Sequence, residues 1–444
     1  MSEDRQSGNR GALQGDAALV RAVGSFALTA AVINIIVGAG IFKMPATLSA
    51  QMGAAAPLAL IAGALAIIPI ALCFAAVGSR AAATGGPYTY AGAVFGPFAG
   101  FIAGALMWIS NVASSAGVAA ALSVQVASLV PLFAEPAARA ALLVAVYLVV
   151  FALNAFGVKL GARAIGVLAT LKLTPLFLLA GVGLFFVDWH QVSWTEVPSW
   201  GVMGTSMVLV MFAYSGMETA LIPSGEVRDV SRSVPRATMA AILLVVLLYL
   251  GLQVVTQGVL GTTGLGQSGV PLADTAGALW SPGRVLLLLT ACVSMFGFLM
   301  GNLLGSSRLL FALGRDGYLP RVFGGVSATH RVPLLAIATH AGLGCVLALG
   351  GSFDALALIS GGGNCLVYIV VCAAAWRAQQ VNLRERGEPF VLPGGATIPL
   401  VSVLAMTAIV ATLTAKEWLA LGGALAALIA VYAALRVMRP RKLP

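Results

Sequence analysis

The first long apolar run of this chain contains NIIVGAGIFKMPA (Asn34–Ala46), with two glycines, a lysine and a proline inside the nine residues VGAGIFKMP. Gly38 and Gly40 have low helix propensity, and Pro45 has no backbone N–H to donate. Such a stretch can unwind a helix. In lipid, unwound backbone is tolerated only where it is buried in protein or lines a cavity. Bare N–H groups at the positive end of the next half-helix then suit an anion such as a carboxylate. The competing reading is a small-xxx-small surface for close helix packing. A second run, MFAYSGMETALIPSGEV (Met211–Val227), carries Ser215-Gly216 in its middle and Pro223 and Gly225 beyond.

Three ionisable side chains lie deep in apolar runs: Lys43, Lys172 in IGVLATLKLTPLFLLAGVG, and Glu218, two residues past Gly216. A charge at the centre of a membrane helix costs about 2.5–3.5 kcal/mol on insertion scales. Each therefore needs a partner or must be neutral for part of its life. A lysine that alternates is a proton carrier; one that does not is a fixed cation bracing its helix. Glu218 is the only acid well inside a predicted span. It suits holding a water, bonding to helix 7 or attracting a cationic part of a substrate, and equally a protonated structural role. Lys43 suits snorkelling to the outer interface or a gating or substrate role.

The elements that must position these groups follow from composition. Of 444 residues, 60% are hydrophobic and 9% charged, against about 25% charged in a soluble domain. Lipid is the expected solvent, and runs of about 20 apolar residues without alternation predict helices rather than barrel strands. Hydropathy and turn residues predict twelve spans, at 22–48, 57–78, 97–130, 138–156, 165–187, 202–223, 237–260, 283–313, 333–350, 354–376, 397–414 and 417–436. With a cytoplasmic N-terminus, 20 of the 25 lysines and arginines fall inside, and Arg139, Arg284 and Lys416 fall outside. Lys43 and Lys172 lie within spans. That asymmetry follows the positive-inside rule. The net charge of +10 does not gather into one aromatic-laced patch, which argues against nucleic acid. The five cysteines lie in apolar stretches with no Cys-x-x-Cys pair, so disulfides and zinc are not expected. Residues 1–20 read as a disordered cytoplasmic tail without a signal peptide.

Interrupted segments in spans one and six, matching positions of two five-helix units, predict an inverted-repeat transporter. The same residues resemble the amino acid–polyamine–organocation (APC) permeases of the LeuT-type fold. GAGIFKMPA is similar to that family's break in helix 1. GGPYTYAGAVFGPFAGF (Gly85–Phe101) is similar to its cytoplasmic segment between helices 2 and 3. FAYSGMET with GEVRDVSRSVPRA is similar to helix 6 and its loop, and GNLLGSSRLLFALGRDGYLP (Gly301–Pro320) to helix 8 and its exit.

The resemblance implies an all-α membrane protein of twelve helices, a five-plus-five inverted repeat followed by two C-terminal helices, with helices 1 and 6 broken. The transport core would span 21–376, in halves of about 21–190 and 200–376. Helices 11 and 12 would lie at 397–436 and a basic cytoplasmic tail at 437–444. An amino acid would sit between helices 1 and 6. The backbone of Gly38, Ala39 and Gly40 would hold its carboxylate, and carbonyls near Ile36, Phe212 and Ser215 its ammonium. Gly216 and Glu218 would border the pocket, and Phe212 would be the lid. Lys172 matches the helix 5 lysine that replaces a sodium ion in proton-coupled members and is also found in exchangers. Its expected neighbours are the Val37 carbonyl and Asn302 or Ser306, which share a helix face at a spacing of four. Glu226 and Arg228 would close an inner gate or remain solvated.

The expected function is amino acid import by proton symport through alternating access. The alternatives are coupling-free exchange, including of cationic amino acids or polyamines, and a channel. Expected partners are an amino acid, a proton and the lipid bilayer, in a monomer or homodimer of the cytoplasmic membrane with both termini inside. No Walker-type loop, metal-ligand spacing or nucleophile–base pair occurs, so neither a cofactor nor an enzyme activity is expected.

Overall fold

The computed structural model describes residues 24–80, 85–156, 162–193, 198–222, 227, 229–327, 330, 332–384 and 388–438. In chain order the helices are α1 (Ser25–Ile36), α2 (Gly40–Met52), α3 (Ala56–Arg80), α4 (Pro87–Phe95), α5 (Pro97–Leu129), α6 (Pro136–Ala155), α7 (Ala162–Gly183), α8 (Trp200–Tyr214), α9 (Met217–Ala220), α10 (Val230–Leu260), α11 (Thr262–Gln267), α12 (Pro271–Leu279), α13 (Ser281–Arg315), α14 (Leu334–Gly350), α15 (Phe353–Gln380), α16 (Thr397–Ala411) and α17 (Ala415–Met438). Among the described residues, eight helical segments are long and apolar enough to cross a membrane. Four shorter apolar helices, Ser25–Ile36, Thr170–Phe186, Leu334–Gly350 and Thr397–Ala411, accompany them. The chain is a multi-pass membrane protein.

Several helices begin where the sequence supplies a proline at the first position. Pro87, Pro97, Pro136 and Pro271 all do so, a place where the missing N–H costs nothing and φ is pre-set. Helix α15 is preceded by Ser352, whose hydroxyl accepts from the Ala355 N–H at 3.3 Å, a conventional N-cap. Three short helices, α4, α11 and α12, of 9, 6 and 9 residues, lie outside the predicted spans because they are far shorter than the roughly 20 residues a span needs.

The helices sort by how much of themselves they bury. Helices α3, α5, α8 and α15 bury two thirds or more of their most apolar windows, whereas α17 buries none. The apolar window of α17 is left uncovered although Tyr432 packs on Phe98, Phe101 and Tyr318, and Phe26, Phe185, Trp200 and Leu419 also project outward. Apolar side chains that no protein covers face lipid. The inner helices enclose a continuous apolar core from Leu28 to Val410. Within it lie the polar side chains Lys172, Glu218, Asn111, Gln253 and Ser294. The five cysteines are free.

Candidate functional site

The first apolar run is broken, over three residues. Helix α1 ends at Ile36, and Val37 leaves helical geometry with ψ 70° while its N–H still reaches the Ile33 carbonyl. Gly38 turns back onto the Ile36 carbonyl at 2.8 Å, and Ala39 caps α2 without a side-chain hydrogen bond. Among the described residues, no hydrogen bond ends on the N–H of Ala39, Gly40 or Ile41. These are the orphan donors of a helix start, buried in the protein interior. Pro45 was expected to help unwind the run. It lies instead inside α2, beyond the break, so the interruption belongs to Val37–Ala39.

The second run breaks between α8 and α9. Ser215 is extended (φ −72°, ψ 159°) and Gly216 takes φ +130°, a conformation that L side chains rarely adopt. The two breaks touch. A Cβ on Gly216 would stand 3.0 Å from the Ile36 backbone nitrogen, and one on Gly40 would stand 3.1 Å from the Ala213 Cα. Phe298 of α13 covers the first break, 2.8 Å from where a Gly38 Cβ would be. Glycine thus serves close backbone approach here, and the packing and unwinding readings of GAG are both realised.

Each break handles its polar groups differently. At the first, side chains arrive from distant helices. Lys172 Nζ of α7 donates to the carbonyls of Asn34 (2.7 Å) and Val37 (2.9 Å). Ser294 Oγ of α13 donates to the same Val37 carbonyl at 2.7 Å, and the Tyr249 hydroxyl of α10 donates to Ile36 at 2.9 Å. Lys172 is 1% exposed. The α1 carbonyls are the negative end of a helix dipole, where a cation belongs. Asn302 and Ser306 are not its partners; they lie 3.5 Å from each other. Ser294, two turns earlier on the same helix, takes the place assigned to them. The Ile36 carbonyl, expected to receive an ammonium, already accepts from Tyr249 and Gly38.

The second break satisfies itself locally. Ser215 donates to the Phe212 carbonyl from both its N–H (3.2 Å) and its Oγ (2.7 Å), so that carbonyl is also occupied. Glu218 Oε1 accepts from the Gly216 N–H at 2.8 Å, and Oε2 from the Tyr368 hydroxyl of α15 at 3.0 Å. The carboxylate therefore caps its own half-helix and ties it to α15 rather than to helix 7. The Ser215 carbonyl accepts no hydrogen bond among the described residues. Phe212 is buried, with its ring edge-on to Phe353 at 5.7 Å.

Lys43 is half-buried and points from α2 toward the Ser268 carbonyl at 3.4 Å, in the turn between α11 and α12. Next to it Thr47 donates to Asp354 at 3.0 Å. Glu226 and Arg228, expected at an inner gate, lie outside the described residues. Residues that sequence reasoning missed are Tyr249, Ser294 and Tyr368. Each is a lone hydroxyl in an apolar run, and a signal existed only in that each must find a partner when buried. A groove of about 480 Å³ between the outward faces of α1 and α7, lined by Phe26, Ile33, Leu173 and Phe177 among others, is separate from the breaks.

The chain was compared with known proteins. A sequence model described as amino acid permease matches residues 23–435. The serine/threonine exchanger SteT of Bacillus subtilis is 27% identical over 372 residues, 82% of this chain and 83% of that protein. The branched-chain amino acid permease BcaP of the same species is 24% identical over 414 residues, 88% of each chain. An uncharacterised transporter of Mycobacterium bovis is 29% identical over 318 residues, 70% of each chain. These relatives are transporters and permeases, none named as an enzyme. With the family match covering nearly its whole length, this chain belongs to the amino acid permease family.

Proposed function

We propose that this permease is a secondary active transporter that imports amino acids by alternating access. The observation that carries the reading is that, among the described residues, the N–H groups of Ala39, Gly40 and Ile41 and the Ser215 carbonyl have no hydrogen-bond partner, at two breaks that touch each other. A zwitterion matches that pair of ends: its carboxylate accepts from the bare N–H groups, and its ammonium donates to the carbonyl. Of the residues expected to bind substrate, Gly38, Ala39, Gly40, Ser215 and Gly216 stay in this site. Ile36 and Phe212 contribute walls rather than free carbonyls, and Glu218 holds the second half-helix in place. The breaks are in contact, so substrate entry requires α1–α2 and α8–α9 to separate.

The proposed architecture is twelve spans in a LeuT-type five-plus-five repeat, with core and C-terminal helices bounded as the sequence predicts. The membrane is the cytoplasmic one, with both termini inside. Lys172 is the proposed proton-coupling residue: its charge pins Asn34 and Val37 while protonated, and deprotonation frees α1 to move. A proton carried inward with the substrate adds about 2.3 kcal/mol per 100 mV of membrane potential. The second reading is coupling-free exchange, favoured by the relative named as an exchanger; Lys172 would then be a permanent brace. Uptake by purified protein in liposomes under an imposed pH gradient separates the two. Symport predicts accumulation that collapses with the gradient and is abolished by Lys172→Ala. Counterflow that ignores pH and persists in that variant would establish exchange. Saturation at high substrate distinguishes either carrier from a channel.

A further inference from the structure

Two curated relatives are named for opposite side-chain classes, one hydroxylated and one branched and apolar. The seam between α5 and α15 bears on which of the two classes suits this chain. Ser110 and Asn111 on α5, with Ser360 and Asn364 on α15, are all buried, at 0–3% exposure. Each holds a side-chain atom with no hydrogen-bond partner: Ser110 Oγ, Asn111 Nδ2, Ser360 Oγ and Asn364 Oδ1. Buried polar atoms without partners are few in native proteins and ask for a reason. Polar residues that glue two membrane helices together do so by bonding across the interface. Among the described residues these four atoms bond neither to one another nor to any other group.

Their position links them to the second break. The other amide atom of Asn111, Oδ1, lies 3.3 Å from Thr219 Oγ1, three residues past Gly216, which leaves Nδ2 as the unused donor. Ser110 Oγ fills the space beside Gly363, 2.1 Å from where a Cβ would stand. Gly361, two residues earlier, packs on Phe212. The seam thus runs from the lid residue to the half-helix behind the substrate position. Its free atoms comprise one donor, one acceptor and two hydroxyls able to be either.

We infer that this seam receives the substrate side chain, and that the substrate is a small amino acid carrying a hydroxyl or carboxamide. The inference rests on the reading of the breaks as an amino acid site. An apolar side chain placed there would leave all four atoms unpaired, and a site built to bond a hydroxyl rejects the analogue that lacks it.

The test uses purified full-length protein and near-isosteric ligand pairs, threonine with valine and serine with alanine, read by competition and thermal shift. Threonine is expected to compete at least about tenfold better than valine, and Asn111→Ala or Asn364→Ala to bring that ratio toward one. Valine equal to or better than threonine in the wild-type protein overturns the inference, as does an undiminished ratio in both variants. If a variant does not melt cooperatively, the wild-type ratio alone decides. Absence of a shift with any amino acid overturns the underlying amino acid reading as well. Shifts with valine or isoleucine and none with threonine or serine overturn this inference alone.

Discussion

The two helix breaks solve one problem in opposite ways. The break at Val37–Ala39 exports its carbonyls to side chains on three other helices, Lys172, Tyr249 and Ser294, and its following N–H groups have no partner among the described residues. The break at Ser215–Gly216 closes on itself: Ser215 bonds back to Phe212, and Glu218 folds onto the Gly216 N–H. Among the described residues its side-chain ties to other helices are Tyr368, which donates to Glu218, and Asn111, which accepts from Thr219. An interruption held by remote partners depends on how those partners are arranged, so a change in α7, α10 or α13 is felt at α1. An interruption capped by its own residues keeps its shape wherever its helix goes. On the proposed reading, the first break is the place where motion and charge would be coupled, and the second would serve as the more rigid wall.

That contrast can be broken most severely at Lys172. Lys172→Met removes two hydrogen bonds from a charged donor and leaves the Asn34 carbonyl without it. A stability loss of about 3 kcal/mol and uptake near background are expected, measured by denaturation in mild detergent and by liposome flux. Near-normal stability would mean that α1 does not lean on α7. Gly216→Ala should rank next, because φ +130° and the Ile35–Ile36 backbone at 3.0–3.1 Å leave no room for a Cβ. Strain of this kind costs on the order of 1–3 kcal/mol, read as a lower melting temperature together with weaker substrate binding.

Smaller effects sharpen the comparison. Ser294→Ala deletes one of the two donors to Val37 and keeps Lys172, so about 1 kcal/mol is expected; combined with Lys172→Met, the losses should be non-additive because both act on one carbonyl. Glu218→Gln should change least. The amide oxygen still accepts from Gly216, and the amide NH₂ can donate to Tyr368, so less than about 1 kcal/mol is expected. Its uptake profile for neutral against cationic amino acids should match the wild type; an altered profile would place Glu218 in the pocket and make the second break as functional in charge as the first.

Residue by residue, the sequence carried the site unevenly. GAG and Ser215-Gly216 marked where helices stop, because glycine propensity acts locally and is independent of what packs nearby. Lys172 stood out as a charge at apolar depth, and its Val37 partner followed from the resemblance. Asn302 and Ser306 are polar, spaced by four and on the right helix, yet the register of α13 against α1 presents Ser294 to the Val37 carbonyl instead. Glu218 was legible as unusual, but its partner Tyr368 lies 150 residues away on another helix, beyond any local pattern.

By itself the sequence determined the solvent of this protein, the helical character of its spans and the positions at which two of them come apart. Those properties arise from hydropathy and backbone preference within a dozen or so neighbouring residues. Tertiary structure alone decided which donors close the exposed carbonyls: Lys172 reaches across 138 residues, Tyr249 across 213 and Ser294 across 257. A hydrogen bond needs its two atoms within about 3 Å, and only the packing of whole helices sets distances of that size between elements so far apart in the chain.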